Sequence, residues 1–280
     1  MSALLDLQDI RTYFYVSKGF FRTLSVKAVD GVSLKIDKGE TVAIVGESGS
    51  GKTTLGRTAL KLVKPISGRI IFEGKDITNI KGDIKWFRRQ AQIIFQDPFM
   101  SLNPYMAVKQ IIEEPIIIHN LDEKEREERI LKALADVKLL PPEEFLPKYP
   151  HMLSGGQRQR VGIARTLVLE PVFLVADEPV SMIDASSRAE ILYLLKDLQK
   201  KYNMGIMYIT HDIATAKYFS DNIAVMYLGK IVEYGPTKEV LKEPLHPYTR
   251  ALIEAVPDPD PENRFKERRV IPGEPPSPIN

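Results

Sequence analysis

Along the N-terminal stretch apolar and polar positions alternate, as in ALLDLQDIRTYFYV (Ala3–Val16) and VDGVSLKI (Val29–Ile36). A period of two predicts antiparallel strands. TVAIVG (Thr41–Gly46) reads as a short apolar strand ending at glycine, followed by a helix with Leu55, Ala59 and Leu62 on one face. GRIIFEG (Gly68–Gly74) reads as another edge strand and AQIIF (Ala91–Phe95) as a buried one. From Pro98 the pattern changes. LDEKEREERILKALADVKLL (Leu121–Leu140) is a charged amphipathic helix with an apolar stripe of Ile130, Leu134 and Val137. Glu125–Arg129 and Glu128–Lys132 have i,i+4 spacing, and the charges read as a solvated face. LLPPEEFLPKYP (Leu139–Pro150) is a proline-rich connection.

After Pro171 short apolar runs return. VFLVADE (Val172–Glu178) and GIMYITHD (Gly205–Asp212) flank the helix SSRAEILYLLKDLQKKY (Ser186–Tyr202). Strand–helix–strand alternation argues for a mostly parallel α/β sheet. NIAVMYLGKIVEYG (Asn222–Gly235) reads as a hairpin turning at Gly229. A short helix begins at Thr237. The tail from Val256, rich in proline and charge, reads as extended or partly disordered.

Composition changes this picture mainly by exclusion. The 280 residues could form one large domain or two small ones. Lys and Arg number 39 against 37 Asp and Glu, a net charge of +2, so a general nucleic-acid binder is not expected. The absence of cysteine excludes disulfides, thiolate metal sites and cysteine-ligated clusters within this sequence. MSALLDLQDI lacks the layout of a secretion signal, and the apolar runs fall short of the ~20 residues that a membrane span needs. The expectation is a cytoplasmic chain whose membrane role, if any, comes through a partner.

Two stretches look built to hold anions. GESGSGKTT comprises Gly46, Glu47, Ser48, Gly49, Ser50, Gly51, Lys52, Thr53 and Thr54. It fits G-x-x-x-x-G-K-[ST] between a strand and a helix, the arrangement in which loop N–H groups cradle phosphates. Lys52 would neutralise the β/γ oxygens and the Thr53 hydroxyl would ligate Mg²⁺. LSGGQRQRVGIAR (Leu153–Arg165) is a second small-residue helix start. At the end of FLVADE, Asp177 is placed to hold Mg²⁺, and Glu178 to orient and polarise an attacking water. His211 ends the strand GIMYIT, at the sheet edge expected for ligands, and is assigned to the γ-phosphate and the water. Gln96 ends AQIIF in the same way, where its amide could reach Mg²⁺ or the water. His119, His151 and His246 read as structural or surface residues.

LSGGQ with the P-loop, Gln96, DE and His211, in that order, resembles the ATP-binding subunit of ABC transporters across nearly the whole chain. The resemblance implies a P-loop NTPase (RecA-like) α/β fold: a mostly parallel sheet core, an antiparallel β layer and an inserted helical subdomain. Residues 1–96 and 165–236 would form the core with its β subdomain. Residues 97–164 would form the helical subdomain with the signature, and 237–280 a C-terminal extension. ATP and Mg²⁺ are the implied cofactors. Two such ATPase chains pack head to tail, so Ser154, Gly155, Gly156 and Gln157 would face the partner's γ-phosphate. In SMID (Ser181–Asp184), Asp184 would cross the interface, while Val180, Met182 and Ile183 depart from the family's EPTSALD. An aromatic would stack on adenine. RTYFYVSKGFF offers Tyr13, Phe14, Tyr15, Phe20 and Phe21, with Tyr13 or Phe14 preferred.

AVDGVSL, FQDPFMSLNP, HPYTRALIEAVPDPDP and VIPGEPPSPIN resemble the oligopeptide/dipeptide branch of ABC import ATPases. The implied partners are a second ABC ATPase chain (homo- or heterodimer), two integral membrane permease subunits and, indirectly, an extracytoplasmic solute-binding protein. The implied place is peripheral, on the cytoplasmic face of the cell membrane. DPFMSLNPYM would line the groove that receives a membrane-subunit helix. The cluster-bearing cysteine segment of some members is not carried over, since this sequence has no cysteine. Oligosaccharide import by the same machinery is the alternative. A soluble non-transport ABC ATPase is a further reading, but its usual marks (tandem cassettes, zinc cysteines, coiled-coil insertions) are missing. A binding module without turnover would be expected to lose Glu178 or His211, and both are present.

Overall fold

The computed structural model describes residues 3–18, 22–80 and 82–256. Phe20, Phe21 and the tail from Pro257 lie outside the described residues. In chain order the strands are β1 (Leu5–Lys18), β2 (Arg22–Ile36), β3 (Thr41–Val45), β4 (Ser67–Phe72), β5 (Lys75–Asp76), β6 (Ala91–Ile94), β7 (Phe173–Asp177), β8 (Gly205–Thr210), β9 (Asn222–Tyr227) and β10 (Lys230–Pro236). The helices are α1 (Lys52–Ala59), α2 (Lys85–Gln90), α3 (Val108–Ile118), α4 (Arg126–Asp136), α5 (Gly155–Leu167), α6 (Ala185–Tyr202), α7 (Ile213–Phe219), α8 (Thr237–Lys242) and α9 (Pro247–Glu254). The chain divides into two units, residues 1–80 with 207–280, and residues 81–206.

In the first unit β1 and β2 form the antiparallel pair that their alternation predicts, with Leu5 opposite Ile36 and Leu7 opposite Leu34. These four side chains are buried, while Lys35 between them is exposed. The sheet order is β2-β1-β4-β5, so β4 is not the edge strand expected from the sequence. Glu73 and Gly74 both take positive φ, the geometry of a tight two-residue hairpin, and fold β5 back along β4. The expected hairpin at Gly229 is present, β9 pairing antiparallel with β10 and parallel with β3. All five residues of β3 are buried, as an apolar run without alternation requires. Helix α1 stops at Ala59 and Lys61 takes positive φ, so Leu62 leaves the apolar face and is exposed.

In the second unit β6 and β7 run parallel, with Ile94 opposite Ala176. The amphipathic helix predicted after Leu121 is α4, which buries Ile130 and Leu134, with Val137 buried just past its end. Glu125 and Arg129 make the expected pair at 2.9 Å, whereas Lys132 bonds Glu170 at 2.8 Å. Helix α3 has no counterpart in the sequence reading. Its apolar run contains Pro115, which cannot donate to a helix ladder and so masks the pattern. Arg160 of α5 ties α4 to α6, donating to the Val137 carbonyl at 2.9 Å and to Glu190 at 2.8 Å. Among the described residues no helix is long and apolar enough to cross a membrane.

Candidate functional site

In the first unit the loop Gly46–Gly51 joins β3 to α1. Its glycines at 46, 49 and 51 all take positive φ. At Gly46 an added Cβ would stand 2.2 Å from the Met226 carbonyl oxygen, and at Gly51 2.0 Å from that of Ala28. Neighbouring backbone therefore forces glycine at both ends, while the crest Glu47–Gly49 stays exposed. Lys52 is buried, and its ammonium donates to the Gly46 carbonyl at 2.8 Å and the Glu47 carbonyl at 2.7 Å. These bonds hold its charge directly beneath the loop, where a phosphate cradled by the loop N–H groups would meet it. The loop is anchored from outside as well: Gly229 N–H donates to the Ser50 carbonyl at 3.0 Å.

His211 is exposed in the turn from β8 to α7, and β8 neighbours β3 in the sheet. Asp212 fixes that turn by capping α7, accepting from Ala214 N–H at 2.8 Å. The two preferred aromatics differ. The Tyr13 phenol donates to Asp30 at 2.6 Å, which raises the phenol's pKa and lowers that of the carboxyl. Phe14 is 42% exposed. By strand alternation it shares the face of Thr12, whose hydroxyl lies 3.1 Å from that of Thr58 on α1, the helix that follows the P-loop.

In the second unit two parallel strands end side by side. Asp177 is the last residue of β7 and is buried. Glu178 follows at φ 47°, a left-handed conformation that costs a non-glycine residue about 1–3 kcal/mol. The turn is secured by Ser181, whose N–H and hydroxyl both donate to the Glu178 carbonyl, at 3.2 and 3.1 Å. Gln96, two residues past β6, donates from Nε2 to Glu178 Oε2 at 3.0 Å. The structure thus joins two of the sequence candidates directly, and this bond leaves the Gln96 carbonyl oxygen as an acceptor able to face a cation.

The signature stretch caps α5 reciprocally. Ser154 Oγ accepts from Gln157 N–H at 3.2 Å, and Gln157 Oε1 accepts from Ser154 N–H at 3.0 Å. A Cβ at Gly156 would meet Ser187 Oγ at 3.1 Å, so the glycines let α5 approach α6 closely. Asp184 caps α6 through Ser187 N–H at 2.9 Å and accepts from Ser186 Oγ at 2.6 Å, and these bonds pull its carboxyl down to about 2. Val180 and Ile183, where the sequence departs from the usual pattern, are buried apolar residues, while Met182 is exposed.

The structure adds residues that the sequence did not single out. Arg158 stacks its guanidinium 4.2 Å over Phe99 and donates to the Pro150 carbonyl at 2.6 Å. Arg165 donates to the Ser101 carbonyl at 2.7 Å. Both arginines leave α5 to clasp the turn just after Gln96, around which Met100 and Tyr105 are 85% and 89% exposed. Tyr248 of α9 accepts from the P-loop N–H of Glu47 at 3.0 Å. Its only sequence signal is the phrase HPYTRALIEAV, which carries no chemistry by itself.

The family model described as ABC transporter matches residues 29–181, and that described as oligopeptide/dipeptide transporter, C-terminal region, matches residues 232–280. The chain is 46% identical to the oligopeptide transport ATP-binding protein AppF of Bacillus subtilis, over 99% of this chain and 85% of that protein. It is 44% identical, with the same coverage, to the dipeptide transport ATP-binding protein DppF of Haemophilus influenzae. Among solved structures it is similar to cbiO1 of Clostridium perfringens, part of the ABC transporter complex cbiONQ, with a TM-score of 0.74, 34% identity, and 87% of this chain and 92% of that chain covered. It is also similar to the dimeric ATP-binding cassette MJ0796 bound to ADP and Pi, with a TM-score of 0.72, 29% identity, and 83% and 98% coverage. These likenesses bear out the α/β P-loop NTPase fold expected from the sequence.

Proposed function

Because this chain belongs to the ABC transporter family and ends in that family's oligopeptide/dipeptide C-terminal region, we propose that it is the ATP-hydrolysing subunit of a peptide importer. The observation that carries the chemistry is the Gln96–Glu178 hydrogen bond at a strained turn directly after the buried Asp177. A carboxylate held in one orientation by an amide can accept the proton of an attacking water as its oxygen adds to the γ-phosphorus and the bond from that phosphorus to the β–γ bridging oxygen breaks, with ADP as the leaving group. His211 binds the γ-phosphate and the same water. Lys52 and the Gly46–Thr54 backbone hold the β/γ oxygens.

The Mg²⁺ assignment is tested by the donor set. Among the described residues no cluster of three His, Cys, Asp or Glu could cage a metal. The candidates Thr53, Gln96 and Asp177 are all hard oxygen donors, too few for a cage and suited to an ion shared with nucleotide phosphates and water. They therefore fit Mg²⁺, which when bound neutralises charge building on the phosphate oxygens. Thr53, Gln96 and Asp177 are the residues that would hold it.

A second ATPase chain supplies the other half of each site. Ser154, Gly155, Gly156 and Gln157 face the γ-phosphate bound by the partner, and Asp184 reaches across. MJ0796, described as dimeric with its nucleotide, supports this reading. The helical subdomain, 97–164, carries the signature and the exposed Met100 and Tyr105, which receive a helix of one of two membrane permease subunits. The chain sits peripherally on the cytoplasmic face of the membrane, and a solute-binding protein outside delivers the peptide.

Isolation of the tagged chain from its native cells in mild detergent tests this reading. Two polytopic membrane proteins, a second ATPase and a solute-binding protein that captures peptides are the expected company. Soluble partners alone would sink the transport role, and a binding protein selective for oligosaccharides would reassign the cargo. A homodimer in place of a second, different ATPase would identify the partner as another copy of this chain.

Adenine stacks on Phe14, since Tyr13 is committed to Asp30. Base–aromatic stacking is worth about 1–3 kcal/mol, so Phe14→Ala is expected to raise KM for ATP about fivefold or more. Tyr13→Ala should change it far less. Steady-state kinetics with the two variants decides between them, and the reverse ranking would exchange their roles.

A further inference from the structure

We propose that Tyr248 is a positioning residue for the P-loop, so that nucleotide affinity in this chain depends on its C-terminal region. The inference rests on the reading above, that the P-loop binds ATP, and adds to it a residue 201 positions away from the loop amide it holds.

The loop peptide at Glu47 is gripped from both sides. Its N–H donates to the Tyr248 oxygen at 3.0 Å, and its carbonyl accepts from the Lys52 ammonium at 2.7 Å and from Ser50 N–H at 3.2 Å. Glu47 itself stands on the exposed crest of the loop. A side chain bonded to that amide therefore limits how far the crest can swing, and with it one of the carbonyls that hold the Lys52 ammonium. Lys52 is the only lysine of the P-loop motif, and its position decides how well the loop meets a phosphate.

Tyr248 is equipped for this task. It is 6% exposed, with its ring 4.3 Å from that of Tyr227 at the end of β9. Its backbone N–H donates to His246 Nδ1 at 3.1 Å. The turn before it is closed by Glu233 of β10, whose two carboxylate oxygens accept from Leu245 N–H at 2.8 Å and His246 N–H at 3.0 Å. The phenol thus stands at the end of a bonded path from β10 through the start of α9 to the loop. Burial pushes its pKa up to about 12, so the oxygen is neutral under working conditions and adds no negative charge beside the phosphate site. A residue that only filled the core would need the ring; the loop contact needs the hydroxyl oxygen.

Tyr248→Phe separates the two, because it keeps the ring and deletes the acceptor. In the full chain, the dissociation constant for a fluorescent ATP analogue is expected to rise about 3–10-fold, the equilibrium worth of one neutral hydrogen bond. Hydrolysis at saturating ATP should stay near the parent rate, so KM moves and kcat does not. Glu233→Ala, which frees the turn without touching the loop, should shift affinity in the same direction. Hydrogen exchange over residues 45–54, measured without nucleotide, should quicken in Tyr248→Phe. Unchanged exchange over that loop would overturn the proposal. So would an affinity loss that disappears once each variant is compared at the same interval below its own Tm, since that would mark a purely structural residue. Lys52→Ala serves as the separate check on the reading beneath. If the parent and Lys52→Ala bind nucleotide equally, the ATP assignment fails whatever Tyr248 does, and the exchange measurement still judges the Tyr248 contact.

Discussion

Glu178→Gln is expected to lower steady-state ATP hydrolysis by about 10²–10⁴-fold, the usual worth of a general base, while leaving ATP bound. The amide keeps the size of the carboxylate and can still meet Gln96 across the 3.0 Å contact, but it cannot take a proton from water. Binding should survive because the substitution leaves Lys52 and its loop, the groups proposed to hold phosphate, unaltered. Uncleaved ATP would then persist between two chains, and light scattering of the variant with ATP and Mg²⁺ should report a dimer. A rate equal to the parent's would remove Glu178 from its role. A monomer under those conditions would reject self-pairing, and addition of the second ATPase found in the native complex would test the mixed dimer. Gln96→Ala should fall in the same direction but less far, since it removes the support of the carboxylate and not the carboxylate itself.

Gly51→Ala is expected to abolish measurable nucleotide binding and to destabilise the first unit by at least about 1–3 kcal/mol. The added methyl would lie 2.0 Å from the Ala28 carbonyl oxygen, a backbone atom with no rotamer by which to yield. The φ of 105° is besides one that a side chain rarely adopts. Either the loop or β2 must move, and a move of even 1 Å at the start of α1 misplaces Lys52. Gly49→Ala is the matched control. It has φ 80° but nothing within 4 Å of the new methyl, so it carries the backbone strain without the collision. Calorimetry with ATP and thermal unfolding of both variants should therefore separate them widely. Equal losses would mean that backbone conformation alone, and not the approach of β2, requires glycine at position 51.

Much of this site was legible before the fold was known, for reasons that differ from residue to residue. The P-loop, the Asp177–Glu178 pair and the Ser154–Gln157 cap are local devices. Each depends on residue types within one turn of chain, so spacing alone exposes them. The capping box is the clearest instance, because Ser154 and Gln157 bond one another whatever the rest of the molecule does. Strand pattern was equally direct in β1, β2 and β9–β10, where alternation or a glycine turn signals the pairing. It failed at α3, where Pro115 breaks the apparent helix, and at β4, where a two-residue partner strand is too short to leave a period. The apolar face assigned to Leu62 failed because the helix stops at Ala59, three residues short of Leu62, and Lys61 turns left-handed.

What the sequence determined by itself was the inventory: a phosphate loop, paired acids after an apolar strand, a second glycine helix start, and the order in which they come. Those are matters of residue chemistry at short separation, where the chain's own stiffness keeps neighbours together. Only the tertiary structure decided which members touch. Gln96 meets Glu178, Arg158 covers Phe99, and Tyr248 bonds Glu47 across 201 positions of chain. No local period encodes such contacts, because they exist only once burial of distant apolar strands has brought their ends together. The same holds for the left-handed turn at Glu178, a conformation disfavoured in the free chain and held here by the Ser181 hydrogen bonds to its carbonyl.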